Sequence, residues 1–153
     1  MLEKGTKAPA FTLKDQDGNK VSLKDFLGKK TAIYFYPKDM TPTCTQQACN
    51  IRDNFDLLKK KGVEIIGVSA DSQELHTKFR EKHQLPFTLL SDESKEMLIK
   101  YGVWGEKSMY GRKYMGIFRT TYMIDEKGKI FDIITKVQAK NHAEQILKTW
   151  GLY

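Results

Sequence analysis

Apolar and polar positions alternate with different periods along the chain, and these periods divide it into elements. Residues 31–36 are uncharged and almost wholly apolar, which suits a strand buried on both faces of a sheet. After a loop containing Pro37 and Pro42, apolar residues recur at Ala48, Ile51, Phe55 and Leu58. Counted from Cys44, they fall on one face of a single helix that Gly62 would end. Residues 63–69 form a second apolar run. Strand, crossover helix and strand predict a βαβ unit with parallel strands.

The flanking segments carry shorter signals. Residues 10–14 and 20–23 read as strands joined by a turn at Asp17-Gly18, a hairpin signature. Ser22 and Asp25 have capping-box spacing before a short helical turn that ends at Gly28. Ser72 is placed to cap a helix over about 73–83, with Leu75 and Phe79 inward. Residues 87–91 return as a strand, and 94–101 as a helix closed by Gly102. Residues 103–116, with Trp104, Tyr110 and Tyr114, read as a loop that either packs on its own aromatics or walls a nearby pocket. Residues 116–125 read as a strand carrying one anomalous charge, Arg119. A turn at 126–128 leads to a partner strand at 129–134, and Asn141 begins a last helix ended by Gly151. The order predicts one α/β domain over residues 1–153. Its mixed sheet would be parallel inside and antiparallel at an edge, with helices against it.

Composition narrows the function classes. The chain has 153 residues, enough for a substantial core. Its formal charge of +7 is dispersed, and Lys59-Lys60-Lys61 suits the C-terminal turn of a helix. No recognition motif accompanies that charge, so nucleic acid is not an expected partner. No apolar run approaches a membrane span, and the first residues lack an apolar signal core, so a cytoplasmic protein is expected. The two cysteines are five apart rather than in Cys-x-x-Cys spacing, and His76, His83 and His142 are scattered. A metal site is therefore not expected, and no cofactor is called for.

The chemistry concentrates at residues 37–49. A cysteine in the first turn of a helix faces unpaired backbone N–H groups and the positive end of the dipole, conditions that favour a thiolate. Pro37 and Pro42 stiffen the loop, and Thr41 can present a hydroxyl to the sulfur or to a substrate, or cap the helix. In a helix, Cα atoms five residues apart lie about 8–9 Å apart and point about 140° away from each other. A disulfide needs about 7 Å or less, so Cys44 and Cys49 could pair only after local unwinding. This favours a cycle in which one thiolate attacks a peroxide O–O bond and the other cysteine then condenses with the sulfenic acid. A redox-sensing switch and a buried, inert Cys44 are the competing readings.

The residues at this point resemble a known family. Phe35-Tyr36-Pro37-Lys38-Asp39-Met40-Thr41-Pro42 with Cys44 is similar to the peroxiredoxin pattern Pro-x-x-x-Thr/Ser-x-x-Cys. Cys44-Thr-x-Gln47-Ala48-Cys49 resembles the PrxQ, or bacterioferritin comigratory protein, subfamily. The resemblance extends from Gly5-x-x-Ala8-Pro9 through Phe87-x-Leu89-Leu90-Ser91-Asp92 to Arg119-Thr-Thr. It implies a thioredoxin-like fold with an N-terminal β-hairpin extension, and a hydroperoxide reductase recycled by thioredoxin or glutaredoxin. It also implies a peroxidatic Cys44, a resolving Cys49, a Thr41 that hydrogen-bonds the peroxide, an Arg119 that activates the sulfur and polarises the peroxide, and a Pro37 that shields it. A monomer is expected, with a homodimer as the alternative. Thr43 departs from the pattern, standing where glycine often precedes the cysteine.

Overall fold

A computed structural model describes residues 2–152. The strands are β1 (Thr12–Asp15), β2 (Lys20–Ser22), β3 (Lys30–Phe35), β4 (Val63–Ser69), β5 (Thr88–Ser91), β6 (Trp104–Met109), β7 (Arg112–Ile117), β8 (Thr120–Ile124) and β9 (Ile130–Ile134). The helices are α1 (Pro42–Asp53), α2 (Phe55–Lys60), α3 (Gln73–His83), α4 (Glu96–Lys100) and α5 (His142–Trp150). Seven strands form one sheet in the order β2-β1-β5-β4-β3-β8-β9. Strands β3, β4 and β5 are parallel, and β1, β2, β8 and β9 add antiparallel edges.

The apolar run of β3 is explained by its position. Ala32, Tyr34 and Tyr36 enter a core beneath α1, α2, α3 and α5, while Ile33 and Phe35 enter a second core on the opposite face with α4. Side chains alternate across a strand, so a central strand covered on both sides must be apolar at every step. The expected hairpin β1–β2 forms, and it extends the sheet by pairing with β5. The box formed by Ser22 and Asp25 opens a short 3-10 turn, Leu23–Phe26.

Four expectations are corrected. The helix after the proline loop is broken at Asn54, whose side chain donates to the Asn50 carbonyl at 2.8 Å and competes with the helical ladder. The apolar stripe nevertheless holds: Ala48, Ile51 and Leu58 are fully buried. Leu75 is exposed, and His76 takes the inward place beside Phe79. Residues 103–116 are not a loop but the hairpin β6–β7, with Tyr110 and Gly111 turning at positive φ. The expected strand at 116–125 is interrupted at Phe118 and Arg119, where the chain leaves that hairpin to join the large sheet as β8.

Gly67 marks a tight crossing in the central sheet. It lies in register between Tyr34 and Leu89, and a Cβ there would meet Tyr34 Cζ at 2.9 Å and Leu89 Cδ2 at 3.0 Å. Both neighbours are held in the central sheet, so Gly67→Ala is expected to destabilise the fold by about 1–3 kcal/mol. A denaturant midpoint unchanged from wild type would show that Tyr34 can give way.

Candidate active site

Strand β3 delivers the chain to Pro37, and the loop 37–41 leads into α1. Pro42 occupies the first turn of α1, where its missing N–H costs no helical bond. Cys44 follows in the same turn, directed into the core and only 1% exposed. Arg119, between β7 and β8, reaches it: Nη2 donates to Cys44 Sγ at 3.2 Å, and Nη1 donates to Gln47 Oε1 at 2.6 Å. A guanidinium has only donors, so the sulfur is the acceptor in this contact. The fork of Arg119 thus bridges two residues on one face of α1, three positions apart.

Gln47 was not singled out as a site residue. It is fully buried, and its Nε2 has no hydrogen-bond partner among the described residues. A glutamine one helical turn beyond a candidate nucleophile, on the same face, was the available signal. Lys107, on β6, adds a second cation to this region. It donates to the Ile117 carbonyl at 2.8 Å and lies over the Phe118 ring. Burial and the Arg119 charge hold Lys107 below the usual lysine range, against an opposing pull from Cys44.

Thr41 occupies the N-cap position, but its side chain makes no cap bond. Its hydroxyl donates to the Lys38 carbonyl at 2.8 Å, closing the loop on itself, and its backbone carbonyl accepts from Thr45 N at 2.9 Å. Pro37 is half-buried at the start of the same loop.

A buried polar network anchors this loop from below. Asp39 accepts from Tyr36 Oη at 2.5 Å and from His76 Nδ1 at 2.6 Å, while its backbone N–H donates to Asp71 Oδ2 at 2.7 Å. His76 Nε2 donates to the Leu90 carbonyl at 2.9 Å. With both ring nitrogens facing acceptors, the imidazolium form fits the site. Burial opposes that charge, but the Asp39 carboxylate, the Leu90 carbonyl and Asp71 outweigh it and raise His76 above the ordinary histidine value. The network holds the turn in which Met40 takes a left-handed conformation, φ 66°, between Asp39 and Thr41. Asp39, Asp71 and His76 also form a group with ligand atoms within 4.8 Å of one another, each bonded to its neighbours or to the loop. The sequence pattern had left all three unassigned, because their meeting depends on the fold bringing α3 under the loop.

Cys49 lies within the unbroken helix α1, on a face different from that of Cys44, and is partly exposed; both cysteines are free thiols. Its Sγ is 3.8 Å from His83 Nδ1, at the end of α3. The helical geometry keeps the two sulfurs apart, so a disulfide between them requires part of α1 to unwind. At the next residue, Asn50 ties α1 to the start of α5. Its Nδ2 donates to the Lys140 carbonyl at 2.8 Å, and its Oδ1 accepts from Ala143 N at 2.9 Å, doing the capping work expected of Asn141. These bonds fix α1 to the following segment directly after Cys49.

A cysteine in the first helical turn, held by a guanidinium and placed over a mixed sheet, is the build of a cysteine-dependent redox enzyme. The chain belongs to the AhpC/TSA family, whose pattern it matches over residues 4–133, and it is a thiol peroxidase of the peroxiredoxin type. It is 49% identical to peroxiredoxin Bcp of Escherichia coli over 146 residues, covering 95% of this chain and 94% of that one. It is 46% identical to peroxiredoxin Bcp of Bacillus subtilis over 148 residues, covering 97% and 94%. A solved structure of the Xanthomonas campestris bacterioferritin comigratory protein superposes with a TM-score of 0.89 at 31% identity, covering 97% of this chain and 98% of that one. The thioredoxin-like fold is thus shared over nearly the full length. Among the described residues no helix is long and apolar enough to cross a membrane.

Proposed function

We propose that this peroxiredoxin reduces hydrogen peroxide and organic hydroperoxides in a two-cysteine cycle. The observation that carries the reading is the 3.2 Å contact from Arg119 to Cys44 Sγ in the first turn of α1. The Cys44 thiolate attacks the peroxide O–O bond, leaving a sulfenic acid and releasing water or an alcohol. Arg119 stabilises the charge on sulfur and on the departing oxygen. Pro37 shields the sulfur, and Thr41 orients the peroxide by turning its hydroxyl from the Lys38 carbonyl. Cys49 then condenses with the sulfenic acid, and thioredoxin, or glutaredoxin in its place, reduces the resulting disulfide. The Xanthomonas relative is described for its alkyl peroxide reduction activity, which supports including organic hydroperoxides. A monomer of one domain acting in the cytoplasm fits this cycle, with a homodimer as the alternative.

The test is peroxide consumption with thioredoxin, thioredoxin reductase and NADPH. Wild type is expected to turn over, and Cys49→Ser to complete one oxidation and stall. Full thioredoxin-linked turnover by Cys49→Ser would remove its resolving role. The required unwinding of α1 also supports a second reading, a peroxide-sensing switch. Under that reading wild type would oxidise once and never turn over.

A further inference from the structure

We propose that His83 is the base that takes the proton of Cys49 and so prepares it to attack the sulfenic acid. The inference rests on the reading of Cys49 as the resolving cysteine. The two atoms concerned, Cys49 Sγ and His83 Nδ1, are 3.8 Å apart, within hydrogen-bond range for sulfur. His83 is held once at its backbone and once at its ring. Arg52 Nη1 donates to the His83 carbonyl at 2.8 Å, and the ring packs edge-on against Phe79 with centroids 5.4 Å apart. Arg52 and Cys49 both belong to α1, so the helix that carries the thiol also fixes the residue that faces it.

The charges around His83 keep it ready to accept a proton. Partial burial, Lys82 beside it on α3 and Arg52 opposite on α1 all lower it from the ordinary histidine value. It is therefore neutral at neutral pH, with Nδ1 free to accept when Nε2 carries the proton. Cys49 has fewer activating neighbours than Cys44. It lies in the middle of α1, away from the helix N-terminus, and Arg119 is engaged by Cys44 and Gln47. An unassisted thiol with a reference value of about 8.5 is only about 3% thiolate at pH 7, and the thiolate is the attacking form.

The step balances as follows. The Cys49 S–H bond breaks and its proton passes to His83 Nδ1. As α1 unwinds, the thiolate electron pair forms the S–S bond to Cys44. The S–O bond of the sulfenic acid breaks, and the hydroxide leaves with a proton as water. The Cys49 sulfur is oxidised, the Cys44 sulfur is reduced, and no further oxidant enters. His83 returns to its neutral form by losing its proton to the leaving oxygen or to solvent.

The test is the rate of disulfide formation in a single turnover, measured by quenched flow and mass spectrometry from pH 6 to 10. Oxidation of Cys44 is followed separately in the same samples. His83→Gln and His83→Phe are expected to form the disulfide about tenfold more slowly than wild type at pH 7. They should converge on wild type above the ordinary thiol range, where a thiol needs no base to ionise. At high peroxide the longer-lived sulfenic acid should give more sulfinic acid. Slowing by the same factor at every pH would mean that His83 only steadies the helix, and would overturn the inference. So would a pH profile identical to wild type, or full recovery by His83→Gln. Cys49→Ser separates the two failures. If it stalls while the His83 variants keep the wild-type profile, only the base assignment falls. If it still turns over, the resolving role falls first.

Discussion

Arg119→Met is expected to slow the reaction of Cys44 with peroxide by about two to three orders of magnitude, and Cys44→Ser to abolish it. The guanidinium supplies the charged donor at 3.2 Å from Sγ, and the loss of one such donor at a reacting centre typically costs a factor of about 10²–10³. Methionine keeps much of the length of the stem, so the effect reports the lost charge and fork more than a lost packing contact. Arg119→Lys should fall between the two. It restores a cation, but a single ammonium cannot reproduce the two directed bonds to Cys44 and Gln47. Serine at position 44 is as short as cysteine, but its hydroxyl does not ionise in the working range, and no nucleophile remains. Stopped-flow measurement of the second-order rate constant decides the matter. A rate for Arg119→Met within threefold of wild type would mean that the helix terminus and loop activate Cys44 without it.

The second large effect concerns acid stability. His142 is fully buried and accepts from Thr121 Oγ1 through Nε2 at 2.8 Å, while Nδ1 faces Gln145 Oε1 at 2.9 Å. That pairing selects the neutral tautomer with the proton on Nδ1. Burial, with a smaller push from Arg119, lowers His142 to about 4, against the opposing bond to Gln145. Because the folded value lies below the unfolded one of about 6.5, the unfolded chain binds the proton first as pH falls. The contribution of His142 is thus fully present above about pH 6.5 and is lost between there and about pH 4. One proton over that window amounts to about 3 kcal/mol. Denaturant unfolding of wild type and His142→Gln at pH 7, 5.5 and 4 tests this. The variant should lose about 3 kcal/mol less stability across the range, and parallel curves would refute the assignment. His76 acts with the opposite sign. Its raised value makes its contribution full below about pH 6.5 and lost as pH rises through the folded value. The two histidines together favour a stability maximum near the ordinary histidine value.

Much of this site is local and therefore legible in the chain. The apolar run 31–36, the prolines, the first-turn position of Cys44 and the five-residue spacing to Cys49 depend on backbone periodicity alone. Those features single out Cys44 as the candidate nucleophile and show that the two cysteines cannot pair in a helix. Resemblance to a family assigned Arg119 a task, but 75 residues separate it from Cys44, and no local rule measures the distance between them.

What the tertiary structure decided are the meetings between distant segments. Residues 103–116 have too many polar and glycine positions to announce strands, and they become a hairpin because β6 and β7 pair with each other. Their end then leaves Arg119 in the joint that aims it at α1. His76, His83 and His142 look alike in the sequence. Packing raises the first above the ordinary histidine value beneath the loop before α1, lowers the second beside Cys49, and makes the third a neutral core residue against β8. The charge state of a histidine depends on its burial and on the groups facing it, and both are properties of the assembled fold.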